Sequence, residues 1–418
     1  MIPIQRTDIR LKADPRRVLL KHLDFGKPAR IEPVARYVLG LEEAEAEAQL
    51  QAIREEFAGR HFDLEAVFRA SCRRLGEQAP AGLSATKQLL LGAYFTHEYS
   101  IQAAALFNPS IVAHPNQRGL GAGELRFILS LRAVGEGHIS SIVFQTGVIG
   151  REGEITLDPV SPQLASGQHR AIPGLGEAGY SLSFPAETPL SSRVIFPHAP
   201  AESNGIEDAR FVQFQEEGKS VYLGTYTAYN GRAIHPWLIE TEDFQTFHLR
   251  ALQGAAASDK GMALFPEKIG GRYAMIGRQG GRSLSIMYSD DLYRWEAYQP
   301  LQHPQRGWEM LQMGNCGSPV KTPQGWLLLT HAVGPMRQYV LSLTLLDLEQ
   351  PEKVLASLEA PLLRPNAEER EGYVPNVLYT CGMIEHGGNL IIPYAMSDSA
   401  ISFAVVGVEA AVGALSVD

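Results

Sequence analysis

The segments ETEDFQTF (Glu240 to Phe247) and YSDDLYRW (Tyr288 to Trp295) align over an acidic turn and a closing aromatic, offset by 48 residues. A glycine-led strand precedes each, GKSVYLG from Gly218 and GGRYAMIG from Gly270, and similar strands return at QGWLLLTHA and GGNLIIPYA. A period near 50 in strand-only sequence predicts propeller blades of about four strands each, because one such meander buries its faces only against its neighbours. Between Glu124 and Val417 there is room for about five or six. A two-sheet sandwich is the rival architecture, and it leaves the repeat unexplained.

The first hundred residues follow another grammar. LEEAEAEAQLQAIREEFAGRHF (Leu41 to Phe62), LEAVFRASCRRL (Leu64 to Leu75) and SATKQLLLGAYFTHEYSIQAAALF (Ser84 to Phe107) carry apolar residues at helical spacing among strong helix formers. Ser84, three residues before Lys87, is the expected N-cap, and FNPS at Phe107 to Ser110 is expected to stop the helix. These patterns predict a helical N-terminal domain over 1–106 and a β-rich domain over 107–418.

The charge balance of 46 acidic against 37 Lys and Arg residues, net -9, argues against nucleic acid or an anionic membrane as partner. Cys72, Cys316 and Cys381 lack metal-ligand or disulfide-framework spacing, and no apolar run is long enough to span a bilayer. A cytoplasmic protein without metal or organic cofactor is expected. The acidic face of the Glu42 to Glu56 helix suits solvent, and the helical domain is a candidate surface for homo-oligomer formation or for covering a pocket.

Chemistry is most concentrated at NGIEDARF, Asn204 to Phe211, where Glu207 and Asp208 precede Arg210 at a glycine-marked turn. Carboxyl groups on the rim of a strand scaffold suit proton transfer to a leaving oxygen, and a guanidinium beside them suits an anion. Glu207 pairing with Arg210 is the plain alternative to a sugar contact. Further titratable groups recur in the strand half: Glu267, Lys268, Arg278, Glu309, His331, Arg370, Glu371 and Asp398. Trp295, Trp326 and Phe247 sit at repeat positions and are expected in the core, whereas Trp308 lies in a Gly/Pro-rich connection that suits stacking on a sugar. GEGHISSI, Gly135 to Ile142, reads either as a tight turn or as a rim loop.

IEDAR, TYTAY, LFPEKI, GWLLLTHAV, LLDLEQPEKVL, EREGYVPNVLYTCG and YAMSD occur in the order found in glycoside hydrolase family 130, over roughly residues 105 to 410. The chain resembles that family of β-mannoside phosphorylases and β-mannosidases, in particular its longer members with an N-terminal helical extension. The resemblance implies a five-bladed β-propeller acting on a small oligosaccharide. It makes Asp208 the general acid, protonating the glycosidic oxygen through a sugar hydroxyl. Glu207, Tyr226, Asp398, Trp308 and Tyr373 become sugar contacts, and Arg132, Arg210, Lys268, Arg278 and His331 become phosphate donors. Ala209 stands where the family commonly has proline. Gly277-Arg278 stands where phosphorylases often carry His-Arg, so one phosphate donor is missing.

Two inverting reactions fit such a site. Phosphorolysis needs the acid and a set of cations to hold phosphate, its own nucleophile. Hydrolysis needs in addition a carboxylate base, for which Glu309, Glu371 and Glu267 are the candidates, set back to leave space for a water. The retained basic positions place phosphorolysis to mannose 1-phosphate ahead of a β-1,2-mannosidase, with inorganic phosphate as co-substrate. A non-catalytic glycan-binding propeller ranks third, since binding alone does not call for a carboxylate among cations.

Overall fold

Strand pairing in the second half of the chain is antiparallel and mostly between sequence neighbours, as short β-branched runs separated by glycine turns dictate. The computed structural model describes residues 2–216 and 218–416. Two compact units result: Met1–Ala13 with Ala103–Val160 and Ser166–Asp418, and Asp14–Gln102 with Ser161–Ala165.

The larger unit is mainly β and contains five successive meanders. The first runs through Ala105–Ala113, Leu125–Val134, Ser140–Ile149 and Ile155–Leu157. The second uses Gly205–Glu216, Lys219–Tyr229, Ile234–Thr241 and Thr246–Ala251, with Gly179–Ser183 added outside. A parallel bridge from Gly205 to Ser140 joins these two into one sheet. Ala263–Leu264, Tyr273–Gly277, Leu284–Ser289 and Gln299–Gln302 form the third. Gln312–Asn315, Gly325–Val333, Tyr339–Leu346 and Val354–Ser357 form the fourth. The fifth pairs Leu378–Tyr379, Asn389–Met396 and Ala400–Gly407, and Ile4–Arg6 from the start of the chain completes it. Consecutive meanders pack on one another, and the fifth returns to the first through Asn389–Met396 against Ala105–Ala113. Among the described residues no single sheet closes on itself.

The sequence repeat marks equivalent points of two meanders. Glu240–Phe247 and Tyr288–Trp295 both follow the third strand into the fourth, and Phe247 and Trp295 are fully buried. Trp326 is core as expected, within a cluster with Phe265, Leu328 and Leu346.

The smaller unit holds helices Pro28–Gly40, Glu43–Glu56, Leu64–Arg74 and Ala85–Tyr94 around Val38, Ala46, Leu90, Leu91 and Phe95. Ser84 caps the last of them by accepting from the Lys87 amide at 3.1 Å. That helix ends at Tyr94, well short of the expected stop at FNPS. Thr96–Ser100 is instead recruited as a strand by Val18–His22, and Ala105–Phe107 already belongs to the first meander. Asn108-Pro109 therefore interrupts a strand, not a helix. The N-terminal residues up to Ala13 also differ from the expected helical stretch, because Ile4–Arg6 and Leu11–Lys12 pair with the last strand.

Candidate active site

Two β-bulges build the centre of the site. The ladder of Gly205–Glu216 slips between Glu207 and Arg210, and that of Ala105–Ala113 slips between Phe107 and Ser110. Asp208 and Asn108 are the bulged residues, both in the left-handed region at φ 54° and 49°. A bulge re-aims the side chain it carries, and here the two turn toward each other. Asn108 Nδ2 donates to Asp208 Oδ1 at 2.7 Å. Among the described residues, ten non-glycine positions adopt positive φ, and Asn108, His138, Asp208, Arg337 and Asp398 of these line one cavity of about 460 Å³. Backbone strain of that kind collects at sites where geometry is over-determined.

Cations surround the bulge. Arg132 donates through Nη2 to Glu207 Oε1 at 2.7 Å and through Nη1 to Asp208 Oδ1 at 3.3 Å. Lys260 Nζ stands 3.9 Å from Glu207 Oε2. Arg210 is buried beneath, donating to the Asp208 carbonyl at 3.1 Å and to the Tyr379 hydroxyl at 2.7 Å. Burial favours the protonated acid, yet Arg132, Arg210, Lys260 and the Asn108 amide outweigh it and hold the Asp208 carboxyl at about 2. Asp398 behaves oppositely: burial and the charge of Asp208 raise it to about 6, against the pull of Arg132 and Arg337.

The facing wall comes from the third and fourth meanders. Arg278 lines the cavity 3.9 Å from Asp259 Oδ1, and its buried Nε has no hydrogen-bond partner. His331 lies beside it, because residue 314 is glycine: a Cβ there would stand 2.3 Å from the imidazole and 3.2 Å from Arg278. The His331 ring stacks on Tyr339 at 6.0 Å and tilts against Tyr379 at 4.8 Å. Burial, reinforced by Arg278 and Arg210, keeps this imidazole neutral far below its ordinary range. It therefore meets the cavity as a neutral hydrogen-bonding group, not as a cation.

The family profile described as beta-1,4-mannooligosaccharide phosphorylase, glycoside hydrolase family 130, matches residues 184–416. The chain belongs to this family. Two family 130 relatives show the extent of the likeness. The 1,2-beta-oligomannan phosphorylase of Thermoanaerobacter sp. (strain X514) is 33% identical over 221 residues, covering 52% of this chain and 73% of that protein. The beta-1,2-mannobiose phosphorylase of Listeria innocua is 29% identical over 215 residues, 50% of this chain and 59% of the relative. The structure of the Listeria innocua beta-1,2-mannobiose phosphorylase in complex with beta-1,2-mannobiose shares the fold, with TM-score 0.54 at 20% identity over 75% of this chain and 92% of that one.

Within this family 130 chain the structure gathers some of the expected residues and separates others. Asp208, Arg132, Arg278, His331, Tyr373 and Asp398 all line the cavity, with Glu207 and Arg210 bonded to its floor. Glu207 pairs with Arg132 and not with Arg210, since the bulge turns residues 207 and 210 apart. Lys268 does not line the cavity: its ammonium is bound by Glu216 and sits over the Tyr273 ring. Tyr226 is fully buried, its hydroxyl donating to Glu202. Trp308 donates its indole N–H to the Glu359 carbonyl at 3.1 Å, outside the cavity lining. Of the three glutamates expected as a base, Glu267 pairs with Lys321 at 2.5 Å. Glu309 is buried, accepting from the amides of Gln305 and Arg306. Glu371 is exposed, and none of the three lines the cavity.

Sequence reasoning missed Asn108, Lys260, Gln312, Arg337, Tyr339 and Tyr379. Two signals were available. FNPS and EDAR are the same bulge in neighbouring meanders, and Lys260 sits in the turn Asp-Lys-Gly immediately before a strand.

Proposed function

We propose that this chain is an inverting β-mannoside phosphorylase, cleaving β-mannosidic linkages to mannose 1-phosphate. The carrying observation is the composition of one cavity: Asp208 shares its lining with Arg132, Lys260, Arg278 and Arg337, while the three glutamates suited to activate water lie elsewhere. A dianionic nucleophile needs that many donors, and water needs none of them. A phosphate oxygen attacks C1, the glycosidic C–O bond breaks, and the leaving oxygen takes its proton from Asp208 by way of a sugar hydroxyl. The β-linkage thus gives the α-phosphate.

The electrostatics make that acid conditional. Two of the cations proposed to hold phosphate, Arg132 and Lys260, also keep Asp208 ionised, so an anion bound beside them raises the proton affinity of the carboxyl as the reaction requires. Asp398, Glu207 and Tyr373 are assigned to the sugar. The inverting β-mannosidase reading is left with Asp398 as its base, and gives the four cations no role.

The five meanders, packed in a ring that returns to its first member, are read as the blades of a five-bladed propeller. The helical unit is assigned as an N-terminal extension, with its boundary at Gln102/Ala103 in place of the expected 106/107, because Ala105–Ala113 is a strand of the first meander. It is also assigned as the surface for self-association, because Tyr37, Leu39, Phe62 and Tyr94 are exposed apolar groups on it. Light scattering on the Leu39→Glu variant tests the latter: an unchanged mass against wild type removes the assignment.

Turnover of β-mannobiose with and without inorganic phosphate tests the reaction. Mannose 1-phosphate formed only with phosphate supports the reading, and free mannose at an equal rate in both overturns it.

A further inference from the structure

Asp208 and Asp398 are largely buried in the cavity, whereas Tyr373, which lines the same cavity, is 59% exposed. A mannoside that brings its C1 to Asp208 buries the mannosyl ring, so the sugar bearing the leaving oxygen extends toward that exposed ring. The phenol is held in place from two sides. Gly372 packs so closely on the Ser397–Asp398 turn that a Cβ would stand 2.3 Å from the Ser397 carbonyl, and the Val374 amide donates to that carbonyl at 3.0 Å. The loop is tied again where Arg370 Nε donates to Asn376 Oδ1 at 3.0 Å.

On the other side stands His138, from the GEGHISSI loop of the first meander. Its loop is closed by the Gly135 amide donating to the Ile139 carbonyl at 3.0 Å, and it sits at φ 60°. The two rings lie 6.2 Å apart at 30°, with the Tyr373 hydroxyl 3.5 Å from His138 Nδ1.

We propose that Tyr373, backed by His138, is the stacking platform for the leaving-side sugar and so sets acceptor affinity in this enzyme. The C–H face of a pyranose complements the electron-rich face of an aromatic ring, and a ring fixed in advance loses little entropy on binding. The inference rests on the phosphorylase reading and names its acceptor site.

The synthetic direction separates the two substrates. With mannose 1-phosphate as donor and mannobiose as acceptor, Tyr373→Ala is expected to raise the acceptor KM about five- to ten-fold and leave the donor KM within about two-fold. Tyr373→Phe should keep most of the acceptor affinity. An unchanged acceptor KM, or an equal rise in both KM values, overturns the platform. Should wild type make no mannose 1-phosphate, the phosphorylase reading fails by itself. The platform is then read from calorimetric binding of β-mannotriose to wild type and Tyr373→Ala, where weaker binding by the variant supports it and equal binding overturns it.

Discussion

Asn108 and Asp208 occupy the same bulge in adjacent meanders, and the Asn108 amide donates to the Asp208 carboxylate at 2.7 Å. The bulge inserts a residue that belongs to neither face of its strand, so both side chains leave the ladder and enter the cavity. A strained backbone thus supplies the acid and its neutral hydrogen-bond donor together.

Asp208→Asn should lower turnover by about a thousand-fold, the usual contribution of a positioned acid. Asparagine tolerates the left-handed backbone, so the fold is retained. With one negative charge removed from beside Arg132 and Lys260, phosphate should bind more tightly than to wild type. Calorimetric titration with phosphate checks this, and weaker binding would remove the assignment of these cations to phosphate.

Lys260 and Lys268 provide a matched pair, eight residues apart in one segment. Lys260→Ala should raise the KM for phosphate about ten-fold by removing a charged donor from the cavity. Lys268→Ala, which breaks the contacts with Glu216 and the Tyr273 ring outside the cavity, should leave it within about two-fold. Initial rates against phosphate concentration distinguish the two.

Asp398 gives stability a pH dependence. Its folded value of about 6 lies above the ordinary aspartate value of 3.8, so the folded state holds the proton more tightly than the unfolded chain. That contribution is complete below about pH 4 and is lost as pH rises through 6, amounting to as much as about 3 kcal/mol. Asp398→Asn should accordingly gain thermal stability over wild type at pH 8 and little at pH 4. Melting curves at the two values check it.

Tyr226→Phe tests whether that residue touches the sugar. Its hydroxyl shares the buried Glu202 carboxylate with Tyr180, and the His198 and Ala199 amides donate to the same group. Removing one donor should cost about 1 to 2 kcal/mol of stability while the mannoside KM stays within about two-fold. A large KM change with unaltered melting would place Tyr226 at the substrate.

Periodicity and turn chemistry are local, and they were enough to read the repeated meanders, the Ser84 cap and the buried Phe247, Trp295 and Trp326. Two acids beside an arginine are by themselves a common surface ion pair, and the EDAR carboxylate was legible because the motif stands in order with six further motifs of family 130. What a short window does not contain is a partner. Thr96–Ser100 reads as helix until Val18–His22 pairs with it, and FNPS reads as a helix stop until it becomes a bulge in a strand.

The amino-acid sequence alone determined that this chain alternates strands and turns with a period near 50, and that Asp208 stands in a charged cluster; the expected turn there is a bulge within a strand. The tertiary structure alone decided which charges meet it. Lys260 faces the cavity and Lys268 faces Glu216. Arg132 reaches Asp208 across 76 positions, and the candidate bases Glu309 and Glu267 are consumed by their own neighbours. The physical reason is that an ion pair depends on distance through space, whereas spacing along a chain predicts distance only within one strand, turn or helix.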